Sequence, residues 1–258
     1  MTGGMEMLFA ILAMNLLVGL LLGMTGIGFM LPLFYLLAVR MTTTEAMAFT
    51  FCSFILSGSL STILFAKKKA VDWRVGTWIS VGSILGTMAG VTVNLMLPER
   101  VITYVLYFMV LLSGISILLP RRGVRTAADK RFFQTWSAMR AAVYFVIGVI
   151  TGAVCSAGGA GGPILVIPIL TMLGMPIHTV IGTAMYNSIF VSLIAFPRYF
   201  AAAGGTSIPY FSMLPLFLLL FGAGVLLGGH VSFRVNQQKL KRIIAVLCIA
   251  VAAYKIFA

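Results

Sequence analysis

Apolar residues run along this chain in long stretches, and polar residues gather in the short gaps between them. The pattern predicts ten helical segments, five in each half. The first half gives about 5–23, 28–40, 45–66, 74–94 and 100–119; the second gives about 138–154, 162–174, 179–200, 208–230 and 239–257. Most approach the ~20 residues that a helix needs to cross the hydrocarbon. None shows the alternating pattern of a membrane barrel. Segments 28–40 and 162–174 are short for a span. Each either crosses or folds back on its predecessor as a re-entrant hairpin. The expectation is an all-α polytopic membrane protein of two inverted repeats with broken or re-entrant helices. Residues 1–119 form the first repeat, 120–137 a basic linker and 138–258 the second repeat.

Each half is interrupted by the same kind of break. Gly19 and Gly23 lead to Thr25, Gly26 and Gly28. Gly148 and Gly152 lead to Cys155, Ser156, Gly158, Gly159, Gly161, Gly162 and Pro163. A helix broken at membrane depth frees backbone groups that must meet protein, water or a ligand. Breaks at corresponding places of two halves point to a transporter's binding site. A shift of 134 residues pairs Gly28 with Gly162 and Thr44 with His178; a shift of 138 pairs Gly86 and Gly90 with Gly224 and Gly228.

Composition agrees. Hydrophobic residues make up 61% of the 258 and charged residues 9%, against roughly 25% charged in soluble domains. The net charge of +13 does not indicate nucleic acid, because the basic residues sit in loops between apolar runs. If every segment crosses, 14 of the 18 Lys and Arg residues fall on one side. The positive-inside rule makes that side cytoplasmic. The linker is then cytoplasmic, both termini lie outside, and the compartment is the inner membrane. Matching loops carry opposite bias: Lys67, Lys68 and Lys69 against the neutral stretch 201–205, and the Pro98 loop against Lys239, Lys241 and Arg242. An inverted repeat predicts this. No cleavable signal peptide is expected, since the N-terminus lacks a basic region. Cys52, Cys155 and Cys248 lie in apolar segments without metal spacing.

The candidate site follows from the breaks. The start of a half-helix presents free N–H groups and partial positive charge, which favours an anion. Thr25, Gly26 and Gly28 from the first break, with Ser156, Gly158, Gly159, Gly161 and Gly162 from the second, are the expected ligands. Thr50 and Ser53 in the third segment, and Thr183 and Asn187 in the eighth, add hydroxyl and amide groups. Asn187 serves equally well as a helix-to-helix hydrogen-bonding group. Arg198 either binds the anion or snorkels to the interface; Arg40 is similarly placed, with Glu45 near enough in sequence to pair. The repeated small residues Gly19 and Gly23, Gly86 and Gly90, and Gly224 and Gly228 read as close helix-packing surfaces. The acidic residues Glu6, Glu45, Asp72, Glu99 and Asp129 all fall at predicted ends or loops. A site without a mid-span carboxylate suits an anion better than a cation.

The two glycine breaks, each followed by a half-helix containing proline (Pro32, Pro168), resemble the sulfite exporter TauE/SafE family of membrane permeases. The stretch Pro176, His178, Gly182, Thr183 is similar to the family pattern after the second break. Gly26 and Gly28 lack the usual run of adjacent glycines. The resemblance covers nearly the whole chain and implies transport of small sulfur-containing anions, sulfite or an organosulfonate. The leading expectation is a secondary transporter or facilitator exporting such an anion, in contact with the lipid bilayer and without cofactor, metal or catalysis. An anion channel, or an importer of an organosulfur anion coupled to a cation, is the alternative. A homo-oligomer is compatible with the class.

Overall fold

The computed structural model describes residues 2–26, 28, 30–37, 39–98, 100–102, 104, 108, 138–159, 161, 163–208, 211–232 and 234. The expected linker 120–137, most of segment 100–119, segment 239–257, Gly162 and both chain ends lie outside them. The helices with defined bounds are α1 (Thr2–Thr25), α2 (Met30–Leu37), α3 (Thr43–Lys67), α4 (Trp73–Met96), α5 (Ala138–Ala157), α6 (Pro163–Met172), α7 (Ile177–Ala202) and α8 (Leu214–Ser232). Two short 3₁₀ turns, Gly205–Ser207 and Phe211–Met213, precede α8. No strand occurs among the described residues. Among them, α3, α4, α5, α7 and the stretch Phe211–Ser232 are long and apolar enough to cross a membrane. The chain is an all-α polytopic membrane protein.

Its side chains are sorted as lipid demands. Ile63, Leu85, Val93, Ile150 and Leu219 are more than half exposed, while Asn15, Thr50, Ser53, Ser83 and Asn187 are completely buried. Helix starts are locally encoded. Thr42 and Glu45 close a capping box on α3, the Thr42 N–H donating to the Glu45 carboxylate at 2.8 Å. This gives Glu45 its structural role. Asp72 caps α4 by accepting from the Val75 N–H at 3.1 Å.

Glycines set the tightest helix pairs. A methyl at Gly19 or Gly23 would strike the carbonyls of Phe221 and Val225 on α8. Conversely, one at Gly224 or Gly228 would strike Leu16 and Leu20 on α1. Gly86 and Gly90 meet the Val149 and Ala153 carbonyls of α5 in the same way, while Gly148 and Gly152 meet Ile79 and Ser83 of α4. Small residues let helix backbones approach closely in a bilayer, and these surfaces do that.

The order of these contacts fixes directions. Residue numbers rise together along α1 and α8, along α8 and α3, and along α4 and α5. They also rise together along α4 and α7, from Gly76 against Tyr186 to Met88 against Arg198. Between α3 and α7 they run oppositely: Phe51 stacks on Tyr199, Gly58 meets Ser188 and Phe65 meets Gly182. So α3 and α7 are antiparallel. The pairs α1–α8, α3–α8, α2–α3 and α1–α2 have counterparts in α5–α4, α7–α4, α6–α7 and α5–α6.

The short helices turn back. Gly28 lies against Leu22 and Phe54, whereas Tyr35, seven residues further along in α2, bonds Asn15 and packs on Phe49. Thus α2 runs down the helix that α1 came up. From Gly161 at Phe54, α6 descends to bring Ile167 beside Gly26, Ile181 and Met185. Both are re-entrant half-helices.

Candidate functional site

Each long helix that ends at a break leaves carbonyls without intrahelical partners. At the end of α1, the Gly26 N–H donates to the Leu22 carbonyl at 2.7 Å and the Ser232 hydroxyl donates to that of Met24 at 2.9 Å. At the end of α5, the Gly158 N–H donates to the Val154 carbonyl at 3.0 Å. The Asn94 amide donates to the Ala157 carbonyl and the Tyr199 hydroxyl to that of Ser156 at 2.8 Å. Asn94 and Ser232 hold matching places, 138 residues apart near the ends of α4 and α8. Each break is closed by a polar side chain from the helix zipped against it. The turns themselves use left-handed backbone, with φ of 72° at Gly26 and 63° at Gly159, a conformation open to glycine.

The two breaks meet at one side chain. A methyl at Gly28 would collide with Cε1 of Phe54, and one at Gly161 would lie 2.7 Å from Cε2 of the same ring. Phe54 sits near the middle of the 25-residue α3 and is 1% exposed. Around it, Phe51 packs edge-on at 6.2 Å and stacks flat on Tyr199 at 5.5 Å. Gly159 faces Met47 of α3, and Gly26 faces Ile181 of α7, residues that the 134-residue shift also pairs. The half-helices α2 and α6 both begin within a few residues of the Phe54 ring, at Met30 and Pro163.

The expected site residues divide into groups. Gly28 and Gly161 meet at Phe54, whereas Gly26 faces Ile167, Ile181 and Met185 and Gly159 faces Met47; Gly158 is buried. Gly162 is outside the described residues. Thr25, Thr50 and Ser53 donate to carbonyls of their own helices, Leu21, Ala46 and Phe49, at 2.6–2.9 Å. Ser156 does the same toward Ala153 at 3.2 Å, with a longer bond to the Thr87 carbonyl. Such back-bonding is the default of a hydroxyl in an apolar helix. Thr183 accepts from the Asp72 N–H at 3.0 Å, which ties α7 to the start of α4. Arg198 donates to the Met88 carbonyl at 2.8 Å, at the α4 surface. Asn187 is fully buried, and neither its amide nitrogen nor its oxygen has a partner. Cys155 is buried as a free thiol within reach of the Leu165 N–H, in the first turn of α6. Cys52 is half-buried.

Several residues at the breaks escaped the sequence reading. Phe54, Phe51, Met47 and Tyr199 are apolar or aromatic positions in apolar helices, without a signal of their own. Asn15 and Asn94 did carry one, an amide inside an apolar run. Asn15 accepts from the Tyr35 hydroxyl at 3.0 Å and donates to Ile11, fastening α2 to α1.

Comparison with known proteins bears on this geometry. The pattern of the sulfite exporter TauE/SafE family matches residues 10–255. The chain is also similar to a probable membrane transporter protein, YjnA, of Bacillus subtilis (strain 168). The two are 25% identical over 252 residues, covering 92% of this chain and 94% of the relative. No solved structure matches the chain.

Proposed function

The chain belongs to the sulfite exporter TauE/SafE family, and from that premise we propose that it carries a small sulfur-containing anion, sulfite or an organosulfonate, outward across the inner membrane. The observation that carries the reading is the meeting of two helix breaks at one level of α3. α1 and α5 run in opposite directions, end at Thr25 and Ala157, and reach the same ring through Gly28 and Gly161. Two half-helices then start beside one another there. Their first N–H groups and dipoles supply positive potential without a basic side chain. Interrupted helices of this kind serve anionic groups in transporters.

Inverted repeats account for the rest. Antiparallel α3 and α7, matched helix pairs and matched carbonyl caps support a two-fold axis in the membrane plane. Alternating access then consists of one half rocking against the other. A cluster of Phe51, Phe54 and Tyr199 at the convergence argues against a continuously open channel. Export needs no coupling cation: an inside-negative potential of about 100 mV drives each negative charge outward by roughly 2.3 kcal/mol. In this reading Lys67, Lys68, Lys69 and Arg74 face the cytoplasm, as does the linker. Asn187 is the side-chain ligand, its unpartnered amide being free to donate to an anion.

Thermal melting of the purified protein in detergent tests recognition. Sulfite or ethanesulfonate raises the melting temperature of wild type, and chloride at equal ionic strength does not. Equal response to all three anions would remove the substrate assignment.

A further inference from the structure

We propose that Phe54 is the gate of this transporter: its ring fills the place between the two half-helix starts and sets the size of anion admitted. The inference rests on the transport reading above and adds a specificity-determining residue to it.

Three observations carry it. First, the ring is held from both sides by different halves of the chain. A methyl at Gly28 would collide with Cε1 and Cζ, while one at Gly161 would lie 2.7 Å from Cε2 and 2.9 Å from Cδ2. Neither position accommodates even a methyl, so the ring lies directly against both glycines. An anion that touches the N–H groups of both half-helices must take the volume the ring now occupies.

Second, the ring lacks a counterpart. The shift of 134 residues that pairs Met47 with Ile181 pairs Phe54 with Ser188. Ser188 instead donates to the Met185 carbonyl at 2.7 Å and lies against Gly58, in the α3–α7 contact. Packing alone would be met by a side chain on each third helix serving its own break. A single ring serving both breaks couples them: either break can move only by sliding off the phenyl edge or taking the ring along.

Third, the surroundings are fixed while Phe54 itself has no polar tether. Phe51 is clamped flat on Tyr199, and Tyr199 is anchored to the Ser156 carbonyl. Phe54 meets Phe51 edge-on at 71° and borders Gly28 and Gly161. Rocking of one half against the other withdraws one glycine from the ring and opens that side. The ring stays against the other glycine and keeps the opposite side shut.

The test compares fluxes of two probes, sulfite and benzenesulfonate, in proteoliposomes of the full chain. Variants are Phe54→Ala and Phe54→Leu. Phe65→Ala is the control, since Phe65 is an equally buried ring on α3 that faces Gly182 instead of the breaks. Expected is a rise of about tenfold or more in the benzenesulfonate-to-sulfite ratio for Phe54→Ala, the scale on which pocket size discriminates substrates. A smaller rise is expected for Phe54→Leu and none for Phe65→Ala. An unchanged ratio in either Phe54 variant that still carries sulfite overturns the gate and leaves the carrier standing. Should Phe54→Ala fail to fold, Phe54→Leu decides by the same ratio. Wild type that carries neither of these anions nor ethanesulfonate refutes the transport reading, and the gate with it.

Discussion

Tyr199 donates its phenolic hydroxyl to the carbonyl of Ser156 at 2.8 Å, joining the last turn of α7 to the last turn of α5 before a break. The ring is completely buried and stacked on Phe51. The other donor to that carbonyl, the Gly159 N–H, is 3.5 Å away. Tyr199→Phe keeps the stacking and removes the bond. A buried acceptor left short of a donor costs about 1–3 kcal/mol. The melting temperature falls for Tyr199→Phe and falls further for Tyr199→Ala. An unaltered melt in Tyr199→Phe would show that the break is held without this bond.

Asn94 and Ser232 make a matched pair of predictions. Each donates to the last helical carbonyl region of a broken helix, Ala157 or Met24. Asn94→Leu and Ser232→Ala each cost about 1–3 kcal/mol, and the double variant loses nearly the sum, because the caps serve different breaks. Denaturant or thermal melts of the four proteins measure this. Strong coupling between the two would contradict separate caps.

Glycine packing predicts unequal effects of one added methyl. Gly86→Ala drives a Cβ into the Val149 carbonyl and Gly224→Ala into that of Leu16. Overpacking costs about 1–3 kcal/mol, and against rigid backbone the upper end or more is expected. At Gly222 the nearest atom is a flexible Leu56 methyl at 3.1 Å, so Gly222→Ala is close to neutral. Yield of monodisperse protein in detergent orders the three variants.

Asn187 separates function from stability. Its amide is buried with neither polar atom partnered, a situation that costs a fold about 1–3 kcal/mol. Asn187→Leu therefore melts at the same or a higher temperature than wild type and loses most of its sulfite flux. A variant with normal flux would mark Asn187 as packing only.

Much of this arrangement was legible in the residues. Dense glycines at 26–28 and 158–162 marked both breaks, because few other residues turn a helix at membrane depth. The spacing of Gly86 with Gly90 and Gly224 with Gly228 marked the packing faces. The short segments left crossing and re-entry open, and Tyr35 reaching back to Asn15 resolves the first as re-entrant. Hydroxyl direction was not legible. Thr50 and Ser53 have the composition of ligands, yet a helix offers each a carbonyl one turn back. Nor was Phe54, since an aromatic residue in an apolar helix looks the same whether it faces lipid, core or a break.

The most direct measurement is sulfite efflux from proteoliposomes under an imposed inside-negative potential of about 100 mV. Wild type, Gly161→Leu and Gly222→Ala are compared. The account predicts efflux that rises with the potential in wild type and Gly222→Ala and is lost in Gly161→Leu, whose side chain would displace the ring between the breaks. Efflux indifferent to potential, or intact in Gly161→Leu, would contradict an electrogenic anion carrier working at the meeting point of its two helix breaks.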